Sequence, residues 1–229
     1  MKKYLLILST FFGLIVAPTI SNAFTVGISL SDNSLDTAGK EDVDSNGTID
    51  ATKNVTDDFK IGSIFIENTA VAANGRFGVT LGLDLIPFDA DIDKRSISQE
   101  ASGAAAGGKS PQSSGTNSVE GTVEKHMTLY VQPGVMVGGS MVYVTGGIVR
   151  ADINGRSTSI SHTDINETKD LDGTKIGVGI KRELDNGFVV KLDYAETSYD
   201  TVTFTTSNNT KATADLDNTA IALSIGRSF

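Results

Sequence analysis

The chain has 229 residues, with 19 lysines and arginines against 28 aspartates and glutamates, a net charge of −9, and no cysteine. The missing cysteines exclude a disulfide framework, a thiolate metal centre and a cysteine-anchored lipoprotein, and the acidic balance offers no basic patch to hold nucleic acid. With 24 glycines, 4 prolines and no tryptophan, one sheet-rich domain with many turns is expected.

The first 23 residues, MKKYLLILSTFFGLIVAPTISNA, have a basic start at Lys2 and Lys3, an apolar run from Tyr4 to Ala17, and small residues at Ser21 and Ala23. This layout predicts a secretory signal peptide cleaved after Ala23. The apolar run is shorter than the ~20 residues that a spanning helix needs. The mature domain is then 24–229, and any later contact with a membrane has to be made by strands.

That domain begins with Phe24, Val26, Ile28 and Leu30 alternating with Thr25, Gly27, Ser29 and Ser31, a strand with one apolar and one small or polar face. A long polar segment, 32–58, follows and contains EDVDSNGTID at 41–50. Counted from Asp42, oxygens fall at Asp42, Asp44, Asn46, Thr48 and Asp50 with Gly47 at the turn, the spacing of the first nine positions of an EF-hand loop. The twelfth position is Lys53 where a bidentate glutamate is required, so this is no EF-hand. What remains is a candidate weak calcium site on a surface loop, set against an acidic turn in which Asn-Gly serves the backbone. No other cofactor is expected.

The segment FKIGSIFIE (59–67) is apolar on both faces and is read as the second strand. Phe77, Val79, Leu81, Leu83 and Leu85 alternate with Gly78, Thr80, Gly82 and Asp84 in the third. The long stretch 89–121 holds GAAAGGKS (103–110), a formal match to a phosphate loop. Neither a feeding strand nor a receiving helix accompanies it, so it reads as a surface loop. Val123, Met127, Leu129 and Val131 then oppose Glu124, His126, Thr128, Tyr130 and Gln132, with Lys125 intruding. Val142, Val144 and Ile148 form a fifth strand. A long segment, 151–173, carries His162, and Ile176, Val178 and Ile180 oppose Lys175, Gly177, Gly179 and Lys181 in the sixth. The turn Asp185-Asn186-Gly187, a strong hairpin signal, leads to Phe188, Val190, Leu192 and Tyr194 opposite Lys191, Asp193 and Ala195. After 199–217, Ile221, Leu223, Ile225 and Phe229 alternate with small or polar residues to the end of the sequence.

Eight strands joined by alternately long and short connections predict an all-β fold: an eight-stranded antiparallel transmembrane β-barrel, an up-and-down meander with long outer loops and short periplasmic turns. Both chain ends then lie at the short-turn rim. Alternation is also compatible with a soluble periplasmic barrel that binds a small molecule. The loop pattern and the charged rows opposite the apolar rows favour the membrane form, in which apolar rows face lipid and charges pair inside. Asp84, Glu124, His126, Lys181, Lys191 and Asp193 are thus expected to form a charge network in the lumen, with Tyr130 beside them.

The closing strand, the hairpin GVGIKRELDNGFVVKLDYAETSYD (177–200) and the preceding VYVTGGI (142–148) resemble the small OmpA-like or opacity-type outer-membrane β-barrels. The resemblance spans 24–229 and marks an architecture more than an activity. It implies residence in a Gram-negative outer membrane, among lipid and lipopolysaccharide. It also implies that Ile221, Leu223, Ile225 and Phe229 are read by the barrel-assembly machinery, although Arg227 departs from the apolar row. The function expected is structural or surface-interacting, in adhesion or envelope integrity, with an extracellular ligand as a candidate partner; the alternative is a narrow porin-like channel. Catalysis is not expected. A histidine with Ser and Glu can form a hydrolase triad, and some small outer-membrane barrels modify lipid A, but neither His126 nor His162 has a deacylase- or palmitoyltransferase-type motif around it.

Overall fold

A computed structural model describes residues 23–42, 46–99, 115–158, 165–205 and 211–229. Residues 1–22 of the predicted leader, the phosphate-loop match, Asp44 and His162 lie outside the described residues. Among the described residues ten strands follow one another: β1 (Ala23–Asp42), β2 (Ala51–Val71), β3 (Phe77–Leu85), β4 (Ala90–Gln99), β5 (Gly115–Val137), β6 (Ser140–Thr158), β7 (Ile165–Glu183), β8 (Phe188–Tyr199), β9 (Val202–Thr205) and β10 (Lys211–Ser228). Both β3 and β4 pair with β5, and both β8 and β9 pair with β10, so each couple occupies one position around the wall. The result is the expected eight staves in antiparallel meander.

Pairing of β10 with β1, from Thr25↔Ser228 to Asp42↔Lys211, closes the sheet into a barrel. The start of β1 and the end of β10 meet at one rim, where Phe24 and Phe229 exchange backbone hydrogen bonds of 3.3 and 2.8 Å. Closure leaves no sheet edge there, the condition for strands in hydrocarbon. The short turns share this rim. Between β5 and β6 the turn residues Gly138 and Gly139 have φ of 57° and 82°, a twist that glycine adopts without steric cost. At the next turn Asn186 Oδ1 accepts the N–H of Phe188 (3.2 Å) before Gly187 (φ 80°) completes the reversal.

Outside, Ile28, Leu30, Leu81, Val144, Ile148, Ile176, Val178, Leu192, Leu223 and Ile225 are all exposed, forming an apolar belt around the staves. A soluble protein does not display a continuous band of this kind, so the periplasmic soluble reading is overturned and the belt is the lipid-facing surface. β3, nine residues long, lies within the belt, matching the ~9–11 residues a tilted strand needs to cross a bilayer. The belt ends on β1 and β2 at the outward pair Asp32–Lys60 (2.6 Å) and on β6 and β7 where Arg150 meets Asp170 and Asp172.

Above that line the structure corrects the expected loops. Much of 32–58, 151–173 and 199–217 is strand, and β1 and β2 pair from Ala23↔Thr69 up to Glu41↔Ala51. There the alternation changes face. Leu35, Ala151, Ile153, Leu171, Val202 and Leu216 are buried inside the barrel mouth, with Phe59, Val123, Tyr199 and Phe204 packed against them. The outer half therefore has an ordinary apolar core and a charged exterior.

Candidate functional site in the barrel lumen

Within the belt the lumen is built around Glu67, 2% exposed on β2. Its Oε1 accepts from Lys181 Nζ (3.1 Å), and its Oε2 accepts from Lys191 Nζ and the Tyr130 hydroxyl, both at 2.8 Å. The Lys181 ammonium also donates to Thr69 Oγ1 (2.7 Å) and Thr80 Oγ1 (2.6 Å), so all three of its N–H bonds are used. Lys191 Nζ sits 4.7 Å from the Phe65 ring centroid and 5.3 Å from that of Tyr130, a cation–π seat within a buried ion cluster. Small residues make this density of large side chains fit: a methyl group at Gly82 would overlap the Tyr130 ring, and one at Gly179 would overlap that of Tyr143. Two buried ammoniums sharing one carboxylate need such added hydrogen bonds and ring contacts to offset their desolvation.

Towards the outer end the polar lining continues. Asp193 accepts from the Tyr143 hydroxyl (2.6 Å), and Asp84 accepts from Ser63 Oγ (2.8 Å). Ser224 donates to Ser29 (2.9 Å) and Asn218 to Asn33 (3.1 Å), stitching β10 to β1 from the inside. Above Glu67 the lumen opens into a cavity of about 480 Å³, lined by Asp84, His126, Lys175, Asp193 and Asn218 and, at its upper end, by Leu35, Leu171 and Leu216. The His126 Nε2 lies 3.1 Å from the Tyr199 hydroxyl, and its buried Nδ1 has no partner among the described residues.

Of the expected lumen network, Asp84, His126, Lys181, Lys191 and Asp193 line the interior, although only Lys181 and Lys191 meet at one carboxylate. Glu124 is a correction. A β-bulge between Glu124 and Met127, with Lys125 at φ 52°, reverses the facing of the strand. Glu124 pairs with Asp152, between the buried Ala151 and Ile153. It therefore faces outward beside Lys125, whose Nζ reaches Asp152 (2.8 Å), while Val123, expected on the lipid face, turns inward.

The centre of the network, Glu67, was not expected. It follows Ile64, Phe65 and Ile66, and the inward aromatic Phe65 masks the alternation. The inward row Ser63, Phe65, Glu67, Thr69 was its only signal. Ile221, Leu223, Ile225 and Phe229 face outward as expected, and Arg227 stacks 5.3 Å over the Phe188 ring at the short-turn rim. In the 41–50 segment, Asp42 Oδ1 and Oδ2 accept the backbone N–H groups of Asn46 (3.1 Å) and Gly47 (2.9 Å), and Asn46 Oδ1 accepts that of Thr48 (2.7 Å). These are side-chain-to-backbone turn contacts.

A closed antiparallel wall, an apolar belt outside and paired charges inside define a transmembrane β-barrel of the outer-membrane type. No family model and no curated protein matches the sequence. Among solved structures the chain resembles the outer membrane protease OmpT of Escherichia coli (9% identity, 93% of this chain and 99% of that one, TM-score 0.52). It is also similar to Ail, the attachment invasion locus protein of Yersinia pestis (14% identity, 90% and 99%, TM-score 0.40), and to the outer membrane protein AlkL (14% identity, 93% and 92%, TM-score 0.41). These likenesses concern the fold.

Proposed function

We propose that this outer-membrane barrel is a non-conducting, non-enzymatic surface protein whose protruding outer half makes contacts at the cell surface, in adhesion or envelope integrity. The observation that carries this reading is a lumen filled with bonded side chains beneath an extended outer half. Glu67, Lys181, Lys191 and Tyr130 fill the membrane section with buried, mutually bonded side chains, whereas β1, β2 and β5 to β7 run well past the belt. An eight-stranded barrel is just wide enough for its side chains to fill, and filling of this kind supports a structural scaffold over a conduit. The nearest partner of His126 is Tyr199, which supports a non-catalytic role for it.

Two measurements test the reading. Purified protein in planar bilayers is expected to give no single-channel steps; reproducible steps altered by Lys191→Met would replace this proposal with the narrow porin. On cells, shortening the β1–β2 hairpin by deleting residues 38–53 is expected to preserve heat-modifiable gel migration while lowering surface adhesion or resistance to detergent. Unchanged adhesion and envelope resistance would overturn the surface role.

A further inference from the structure

The cavity above Glu67 lies between two packed layers of side chains. Its floor is the hydrogen-bonded ion cluster. Its ceiling is the apolar packing of the mouth, which draws described side chains from β1, β2, β5, β6, β7, β8, β9 and β10.

Above the belt line the wall beside β2 is incomplete among the described residues. The β2–β3 ladder ends at Ile64↔Leu85, and β4 pairs with β5 only. Among the described residues, nothing ladders with β2 from Ala51 to Ser63 on that flank. The cause is readable in the chain. Continued register would set Pro87 opposite Gly62, and proline has no N–H to donate to a neighbour. The bulge at Lys125 then shifts β4 relative to β3 along β5. The cavity reaches both banks of this gap, touching Phe59, Ile61 and Ser63 on β2 and Ile86, Phe88 and Asp89 across from them. Phe88 is 68% exposed yet lines the cavity, so interior and exterior are continuous there. The level is that of the Asp32–Lys60 pair, the outer edge of the lipid belt.

We propose that the upper lumen is a binding site for a small, uncharged, largely apolar molecule bearing one hydroxyl, which enters sideways from the outer-leaflet interface between β2 and residues 86–89. The size falls within the ~300–1,000 Å³ of ligand pockets. The chemistry follows from the lining. Phe59, Ile86, Phe88 and Leu171 offer apolar walls, and the Nδ1 of His126, without a partner among the described residues, offers a hydrogen bond that a hydroxyl completes as donor or acceptor. Five carboxylates, of Asp57, Asp58, Asp84, Asp89 and Asp193, face two ammoniums, of Lys60 and Lys175, and this acidic balance disfavours a carboxylate or phosphate head. This site is independent of the surface role proposed above and rests on the membrane barrel alone.

The absence of native cysteine makes the window directly testable. The protein carrying Ile61→Cys and Phe88→Cys is placed in phospholipid nanodiscs with a diazirine-bearing alkyl alcohol, photolysed, and its labelled residues mapped by mass spectrometry. Expected labels lie on Phe59, Val123, Leu171 and Tyr199, and excess 1-octanol displaces them. Bridging the two thiols with a reducible bifunctional reagent should slow this labelling about tenfold, and reduction should restore it in the same folded molecules. Phe88→Ala, at an exposed position, should speed it. Labels confined to belt residues such as Leu30 and Leu223 would overturn the site. Lumen labelling at equal rates in bridged, reduced and Phe88→Ala protein would overturn the lateral route.

Discussion

The two halves of this barrel solve opposite solvation problems with the same strands. In the lower half Phe24, Val26, Ile28 and Leu30 of β1 face lipid while Thr25 and Ser29 face inward; a few residues later Asp32 is outside and Leu35 is buried within. On β7 the same exchange separates Ile176, Val178 and Ile180, outward above an inward Lys181, from Leu171, inward between the exposed Asp170 and Asp172. The backbone runs on without a break. What changes is the solvent outside, and the side chains exchange faces with it. A hydrophobic pattern therefore reports the medium around a strand as much as the strand itself.

The comparison predicts that a lesion below acts on the whole barrel and a lesion above acts locally. The largest effect is expected at Glu67. Glu67→Ala leaves two buried ammoniums without their carboxylate, and removing one partner from a buried ion pair costs about 3–5 kcal/mol. Urea unfolding in vesicles should show that loss globally, as a shift in every stave, and the triple change Glu67→Leu, Lys181→Met, Lys191→Met should recover most of it. A midpoint unmoved by Glu67→Ala would mean that the cluster does not hold the barrel.

Leu171→Ala comes next. It leaves a hole in the mouth core worth about 2–5 kcal/mol. The deficit should appear as faster amide exchange in the outer portions of β6, β7 and β10 with the belt staves unaffected. If exchange accelerates equally below the belt line, the two halves are one cooperative unit and the division drawn above fails.

The lower half was largely legible in the sequence, because within lipid the alternation is strict: Lys181, Lys191, Asp84 and Asp193 could be assigned to the lumen from their apolar neighbours alone. Three things were hidden. Glu67 was masked by Phe65, an aromatic on the inward face that packs against backbone at Gly27 and Gly226. Glu124 was assigned to the wrong side because one extra residue at Lys125 inverts everything beyond it, and a bulge leaves no mark in the hydrophobic period. The outer halves of the staves read as polar loops because their exposed faces are charged and their buried faces sparse. The window was invisible for a further reason: a missing ladder is a relation between two distant segments, and Pro87 was its only local trace.

The smallest effect, and the one that isolates the upper half, belongs to Asp215. Its carboxylate accepts hydrogen bonds from Thr201 Oγ1 and from Lys40 Nζ (3.1 Å), joining β10 to β1 and to the start of β9. Those bonds, that of Thr201 foremost, hold its pKa below the ordinary carboxylate value. A folded-state pKa lower than the unfolded one means that the stabilisation is complete above about pH 4 and is lost as pH falls through the depressed value. Acidification from neutral should therefore loosen Val202–Thr205 and the upper end of β10 in the wild type. Asp215→Asn, which has no charge to titrate, should start looser and show no such acid limb. Amide exchange followed from pH 6 to pH 3, with each segment of the variant set against the wild type at the same pH, measures the difference. A ratio between the two that stays constant across that range would show that the Lys40–Asp215–Thr201 contacts add nothing to the outer half, whose cohesion would then rest on its apolar core alone.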